Sequence, residues 1–418
     1  MKESLLMEIN SIYEGDNIEV LSKFPSESVD LIYLDPPFFS NRHYEVIWKD
    51  GAELRAFQDR WQGGIEHYIS WMEPRLRECH RVLKKDGSIF LHCDWHANAH
   101  LKILMEKIFG ENNFINEIIW CYSHGGRSKK TFGRKHDTIF WYSKSNDYYF
   151  DEKAVRLPMK SGLTSFGGKL RIDKDGRQYR LVYGTKNAEG KTKYYKYYLD
   201  EGKIPEDYWT DINSIQASDP ERLGYPTQKP VALLERLIKV SSKEGDIVLD
   251  PFCGCGTTLA ASQKLARRWI GIDISPTACK LMVKRLKTQF GVNPHLVKGN
   301  VDLKYVKKLP PFEFQNWVVV DKFLGNVSKT KSGDMGIDGL TPQITGGFPI
   351  QVKQSEDVGR NVIDNFETAM RRLNKKKGYI VAFSFGKGAV EEVARLKNQE
   401  NITIILRTVQ ELLDGKVE

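Results

Sequence analysis

At 418 residues the length allows two or three domains, and 40% hydrophobic content suffices for ordinary buried cores, so nothing argues for a disordered chain. A net charge of +9 suits a polyanionic partner, although many soluble proteins carry as much. The 6 cysteines form no even framework and read as reduced thiols of an intracellular protein. No signal peptide opens the chain and no apolar run approaches a membrane span, so a soluble, cytoplasmic protein is expected.

In chain order, Ile12 to Glu19 begins as a short strand closed by Gly15-Asp16. The next stretch, VDLIYLDPPFF, organises the rest. Leu31 to Leu34 has the length and composition of a buried parallel strand, and Pro36 and Pro37 end it because neither can donate to a ladder. Asp35 is thereby held at the carboxyl end of a strand, where open α/β sheets bind ligands. These residues suit methylation of an exocyclic amino group on a nucleobase. The Asp35 carboxylate and the Pro36 carbonyl each accept one amino hydrogen, which favours a tetrahedral nitrogen and stabilises the positive charge that grows on it. Phe38 would stack on a base turned out of its helix. The plainer alternative is a strand end followed by a rigid turn.

Phe39 to Arg60 lacks a clear period and reads as a loop, with Ser40, Asn41, Arg42 and Tyr44 placed to form a lid. Ile65 to Leu83 has helical spacing, Lys84 to Gly87 ends that helix, and Ser88 to His92 is a strand. His92, His96 and His100 repeat every fourth residue, but the segment crosses from strand to helix, which argues against zinc. Phe114 to Tyr122 and His136 to Lys144 read as an antiparallel pair. Their connection carries Arg127, Lys129, Lys130, Arg134 and Lys135 with no acid, either a solvated loop or a phosphate contact. Residues 150–222 alternate short strands with Gly167-Gly168, Lys174-Asp175-Gly176 and Glu189-Gly190 turns. After those turns comes a Tyr194-Tyr195-Lys196-Tyr197-Tyr198 run whose interleaved basic and aromatic side chains suit phosphate contact and base stacking.

Val231 to Val240 is a helix, and Ile247 to Leu249 a second short buried strand with Asp250 at its end. Gly254 and Gly256 then let the backbone pass close to a ligand before Thr257 opens a helix. Trp269 to Ile274 is a further strand, ending in Asp273, whose carboxylate can take both hydroxyls of a ribose. Ser275 to Phe290 makes another helix, with Pro276 tolerated at its start. Strand, glycine loop, helix, strand and acid in that order point to a nucleoside site.

These motifs resemble the amino-group DNA methyltransferases that use S-adenosylmethionine. Asp35-Pro36-Pro37-Phe38 matches their catalytic tetrapeptide, Phe252, Gly254 and Gly256 match their F-x-G-x-G cofactor loop, and Tyr225 to Pro230 matches the segment that precedes it. The catalytic motif lies ahead of the cofactor loop with a large insert between, which looks like the permuted beta class. The resemblance implies a Rossmann-like, doubly wound α/β sheet acting on double-stranded DNA. It places Asp16 near the cofactor's adenine and Thr227 and Lys229 where family members reach the cofactor, with Asp250, Phe252, Gly254, Gly256, Thr257 and Asp273 completing that site. It makes residues 1–149 the catalytic half, 150–222 a target-recognition insert and 223–300 the cofactor half. Asp35, in place of the serine common in cytosine-N4 enzymes, favours adenine N6, with cytosine N4 as the alternative.

Lys304 to Pro311 reads as a linker (301–311), and 312–418 as a smaller second domain. There Asp338, Gln351 and Lys353 resemble the D…(E/Q)-x-K signature of the restriction-endonuclease fold, most closely its Mrr-like branch. In that chemistry Asp338 and Gln351 would hold Mg²⁺ and Lys353 would orient the attacking water, making the chain a combined restriction-modification protein. Gln351 replaces the commoner acid and removes one charge from the metal site. The alternative is an inactive nuclease fold used for DNA binding or dimer contact, so a homodimer is among the expected assemblies.

Overall fold

The computed structural model describes residues 7–40, 42–47, 53–59, 63–123, 129–158, 170–186, 190–225, 227–299, 301–309, 311–328 and 336–417, with backbone alone for 42–47, 53–59 and 312. Asn41, Arg127, Gly167, Gly168, Glu189 and Pro226 lie outside the described residues, as do the side chains of Arg42 and Tyr44.

The chain begins β1 (Ser11–Glu14), α1 (Asn17–Leu21), β2 (Val29–Leu34), the pair β3 (Arg42–Ile47) and β4 (Glu53–Asp59), α2 (Gly64–Val82), β5 (Leu83–Cys93), α3 (Asn98–Phe109), β6 (Phe114–Cys121) and β7 (His136–Ser143). A three-stranded sheet follows, β8 (Arg171–Ile172), β9 (Gln178–Lys186) and β10 (Thr192–Tyr198). Then come β11 (Tyr208–Trp209), α4 (Val231–Ser241), β12 (Ile247–Asp250), α5 (Thr257–Lys264), β13 (Arg268–Asp273), α6 (Pro276–Phe290) and β14 (His295–Lys298).

The main sheet has nine strands in the order β11-β6-β7-β5-β2-β12-β13-β1-β14. Its pairs are parallel except those made by β7, which runs against β5 and β6. The apolar run of β2 follows from burial on both faces. Leu31 and Tyr33 share a core with Leu233, Leu234 and Leu237 of α4, while Ile32 and Leu34 share the opposite core with Met72, Leu76 and Cys79 of α2. Because β12 enters between β2 and β13, the two sequence-distant halves become neighbours in one sheet.

Three stretches differ from the sequence expectation. Part of Phe39 to Arg60, read as a loop, pairs as the antiparallel hairpin β3-β4. Lys84 to Gly87 does not separate α2 from the following strand: Leu83 is already extended and these residues belong to β5. Lys84 pairs with Asp30 at 2.6 Å, and a Cβ at Gly87 would lie 2.9 Å from the Asp30 carbonyl, so the strand crosses tightly there. Finally, β11 joins the main sheet beside β6, with Trp209 and Ile212 in its core.

The second body is a five-stranded sheet, β15-β16-β17-β18-β19, and helices packed on it. Its elements are α7 (Leu303–Lys308), α8 (Pro311–Asn316) running into a π-helical turn at Trp317–Lys322, β15 (Asn326–Val327), β16 (Gly339–Leu340), β17 (Pro349–Val352), α9 (Arg360–Arg372), β18 (Lys377–Ala382), α10 (Lys387–Glu400), β19 (Thr403–Thr408) and α11 (Val409–Leu413). The stretch read as a linker is helical. Asp302 caps α7 by accepting from Tyr305 N at 2.8 Å, and Tyr305, Val306 and Leu309 enter the same core as Ile350 and Tyr379. Its lysines conceal that apolar stripe in the sequence.

A candidate active site at the carboxyl ends of four strands

Strands β2, β12, β13 and β1 are parallel neighbours, so their carboxyl ends form one row. That row carries Asp35 after β2, Asp250 closing β12, Asp273 closing β13, and Asp16 two residues beyond β1. A single cleft runs over it, lined by the whole Asp35-Pro36-Pro37-Phe38 tetrapeptide and by Asp16, Thr227, Lys229, Asp250, Phe252, Gly254, Thr257 and Asp273. Gly256 stands one step behind the wall.

At one end the Asp35 carboxylate receives the Lys229 ammonium on both oxygens, at 2.8 and 2.7 Å. Lys229, expected at the cofactor, is thus bonded to the catalytic-strand carboxylate. An ionised carboxylate has about four lone-pair sites, so Asp35 keeps acceptor capacity beside this partner. Tyr68 Oη donates to the Pro37 carbonyl at 2.7 Å and anchors the turn, while among the described residues nothing donates to the Pro36 carbonyl. Two acceptors on adjacent residues therefore stand together. The Phe38 ring rests against His92, centroids 5.7 Å apart, with Lys229 Nζ 4.8 Å from its centre.

The histidine series has a different use. His92 is fully buried, its Nδ1 on Tyr33 Oη at 2.8 Å and its Nε2 on Asp137 at 3.1 Å, while Tyr122 donates to Asp137 at 3.0 Å. His96 pairs with Asp94, so the two rings belong to separate networks. Asp94 is not among the residues lining the cleft.

At the other end the backbone is shaped by carboxylates. Asp250, expected as a ligand contact, lines the cleft and also braces the loop, accepting from Phe252 N at 3.0 Å and from the Thr258 hydroxyl. Asp273 accepts from Gly254 N at 2.7 Å and from Ser275 N at 2.8 Å. Thr257 faces inward, its hydroxyl receiving Arg285 Nη1 at 3.0 Å, and the same guanidinium holds the Cys255 carbonyl at 3.1 Å. Gly256 has φ +73°, and a Cβ there would come within 2.8 Å of Met282 Cγ, so its smallness serves contact with α6. Thr227 also has a positive φ, +60°, uncommon for a β-branched residue and located at the cleft. Asp16 caps α1 through Ile18 N and pairs with Arg75 at 3.1 Å. Arg75 lies 3.8 Å over the Trp71 ring, which packs 5.8 Å from Phe252.

Several of these were not legible beforehand. Trp71 fell within the helical spacing of α2 and read as core, and nothing in the sequence paired residue 16 with residue 75. Arg75 itself was the available signal, a cation one residue from the apolar Leu76 and three from Met72. Glu313, from α8 of the second body, also lines the cleft and accepts from Ser275 Oγ at 2.6 Å.

The S-adenosylmethionine implied by the resemblance fits this donor set. The amides of Cys253, Gly254 and Gly256 are already bonded to Ile272, Asp273 and Cys253, so the loop offers few donors for a phosphate. The wall instead presents amide and carboxyl oxygens, among them the buried, unpartnered Asn17 Oδ1 and Glu313 Oε2. Hydroxyls, amines and a cationic sulfonium match acceptors, whereas a pyrophosphate would meet carboxylates. Burial raises the carboxyls of Asp273 to about 6, Asp250 to about 7 and Glu313 to about 8. A raised folded-state pKa gives stability that is complete below the unfolded carboxyl range and lost as pH rises through the folded values. Thermal melting of the ligand-free protein is therefore expected to show a falling midpoint between about pH 5 and pH 8 from these groups. A midpoint that rises across that window would contradict their burial as uncharged acids.

In the second body Asp338 stands beside β17, its Oδ2 accepting from Val352 N at 2.7 Å and its amide donating to Ile350 O at 2.9 Å. Gln351 is 2% exposed and its Oε1 has no partner among the described residues, while a Cβ on Gly336 would lie 2.7 Å from its Nε2. Gln351 and Lys353, two apart in an extended segment, project to one face. Among the described residues, no group of three His, Cys, Asp or Glu side chains is placed to hold a metal.

The fold and cleft define an α/β protein with the Asp35 tetrapeptide and the Phe252–Thr257 loop facing one cleft at one sheet edge. Comparison with known proteins gives the family. The sequence model of the DNA methylase family matches residues 29–284, and that of a restriction endonuclease matches 306–414. The chain is 31% identical over 284 residues to DNA adenine methyltransferase YhdJ of Escherichia coli, covering 67% of this chain and 83% of that protein. It is 30% identical over 320 residues to Type II methyltransferase M.HinfI of Haemophilus influenzae, covering 74% and 76%. A solved putative DNA modification methylase from Thermus thermophilus, complexed with S-adenosyl-L-methionine, aligns at 22% identity with a TM-score of 0.44, over 70% of this chain and 99% of that one. This chain belongs to the DNA methylase family, and it carries a restriction-endonuclease-like domain at its carboxyl end.

Proposed function

We propose that the protein transfers a methyl group from S-adenosylmethionine to adenine N6 in duplex DNA. The observation that carries this is the one cleft joining the Asp35 and Pro36 acceptors to the Asp273 end of the site. Asp273, Phe252, Gly254 and Thr227 would hold the cofactor, with Asp16 and Arg75 closing the far wall. When bound, S-adenosylmethionine supplies the electrophilic methyl group. Asp35 and the Pro36 carbonyl each accept one amino hydrogen, orient the nitrogen lone pair, and stabilise the charge that develops on nitrogen. Phe38, backed by His92, stacks on the extruded base.

DNA would approach along the same edge. Cys93 pairs with Thr138 and Cys121 with His136, so the connection bearing Lys129, Lys130, Arg134 and Lys135 leaves the sheet on the side where β2 ends. Arg134 lies 3.7 Å over exposed Trp95. On the outlying sheet Tyr183, Tyr194, Tyr195 and Tyr197 are 49–62% exposed, an arrangement that supports target recognition by residues 150–222. In this reading the protein works in the cytoplasm, alone or as a homodimer. Labelled S-adenosylmethionine and duplex DNA, followed by nucleoside mass spectrometry, are expected to give N6-methyladenine. N4-methylcytosine would replace the adenine assignment, and no label in either base would overturn the function.

A second reading concerns the carboxyl-terminal domain, where Asp338 beside β17 and the orphan Gln351 oxygen support Mg²⁺-dependent cleavage. Duplex nicking that needs Mg²⁺ and disappears in Asp338→Ala and Lys353→Ala is the expected result. Intact DNA at every Mg²⁺ concentration, with wild-type protein active in methylation, would leave the domain as a binding module.

A further inference from the structure

The helix α8 touches both chemical centres of the molecule. Its Glu313 is 1% exposed, accepts from Ser275 Oγ, and leaves Oε2 without a partner at the wall of the cleft. Ser275 is no incidental neighbour. It caps α6 by accepting from Ala278 N at 3.1 Å, and its own amide fixes Asp273 at 2.8 Å. The carboxylate expected on the ribose is thus held by a residue that Glu313 holds. Two residues along, Gln315 Nε2 donates to the Asp338 carbonyl at 2.9 Å, on the loop that leads into β16. Strand β4 of the hairpin that follows the catalytic tetrapeptide runs beside the same helix.

An unpartnered carboxyl oxygen in so enclosed a place costs free energy unless something meets it. A structural cap would need only the Ser275 bond, so the second oxygen asks for a hydrogen-bond partner from the cleft, and a nucleoside carries both hydroxyl and amino donors and ring-nitrogen acceptors. We propose that the carboxyl-terminal domain is a working part of the cofactor site: Glu313 binds the nucleoside portion of the cofactor, and α8, through Gln315, transmits cofactor occupancy to the Asp338 loop. The second domain then senses whether the methyltransferase cleft is filled. This extends the reading of the cleft as an S-adenosylmethionine site and depends on it.

The test uses the full-length protein, S-adenosylmethionine and S-adenosylhomocysteine, with calorimetric binding and amide hydrogen exchange as readouts. Wild type is expected to bind both and to slow exchange in 336–341 and 349–353 on binding. Glu313→Ala should weaken binding by about tenfold or more, and Glu313→Gln, which keeps shape and one acceptor oxygen, by less. Gln315→Leu should bind as wild type yet lose the exchange response. Circular dichroism and melting of each variant separate a lost contact from a lost fold.

Each other outcome has a definite meaning. Failure of wild type to bind either ligand would sink the reading of the cleft itself. Wild-type affinity in a folded Glu313→Ala would refute only the cofactor contact, and an unchanged exchange pattern around Asp338 in ligand-saturated wild type would refute the transmission. If Glu313→Ala fails to fold, Glu313→Gln decides: unaltered binding tightness in that folded variant refutes the cofactor contact.

Discussion

Asp35→Ala is expected to lower kcat for methyl transfer by about 10²–10³-fold or more, with cofactor affinity changed only a few-fold. In the proposed reaction the side chain accepts from the target amine, and that interaction would strengthen as positive charge grows on the attacked nitrogen, so its loss would fall on the transition state. Asp35→Asn is the sharper variant. It keeps the shape of the turn between Leu34 and Pro36 but removes the charge, and it leaves the Lys229 ammonium, 8% exposed in its side chain, without an anionic partner. Single-turnover rates with saturating DNA and cofactor separate this from weakened binding. A rate within a few-fold of wild type in folded Asp35→Ala would remove Asp35 from the chemistry.

Gly256→Ala is expected to act on the opposite end. At φ +73° an L-residue is disfavoured by roughly 1–2 kcal/mol. The added methyl would also press on Met282 Cγ, and Met282 is fully buried and cannot swing clear. Overpacking of that kind costs about 1–3 kcal/mol, so together the two effects amount to roughly 2–5 kcal/mol. If the strain is relieved by displacing the loop from Cys253 to Thr257, it appears as cofactor affinity lower by roughly 30-fold or more. If the loop holds, it appears as a lower melting temperature of the ligand-free protein. Calorimetric titration and thermal melting together must find the cost. An unchanged affinity and an unchanged midpoint would show that the loop is not packed as described.

The position of the two sites was legible in the sequence because each depends on a short, local device. An apolar run ended by Asp-Pro-Pro reads as a strand end, and a second run ended by Asp and followed by spaced glycines reads as a tight turn into a helix. Resemblance then linked the two. The hairpin after Phe39 was missed because its strands lack the alternation that a half-buried strand shows. The helix at 303–308 was missed because its lysines surround Tyr305 and Val306, whose core is completed by Ile350 and Tyr379, more than forty positions further on.

Side-chain roles proved less legible than positions. The sequence by itself determined that carboxylates would stand at the ends of buried parallel strands, since strand length, proline and glycine act within a few residues of where they occur. It also determined, through Asp338 and the Gln351-x-Lys353 pattern, that a second α/β unit would follow. Only the tertiary structure decided that Lys229 bonds Asp35, that Asp250 braces a loop, that Arg75 pairs with Asp16, and that Glu313 reaches the cleft from another domain. Those four outcomes depend on which strands and helices become neighbours, and neighbours in a sheet whose spatial order differs from its chain order cannot be read from local pattern.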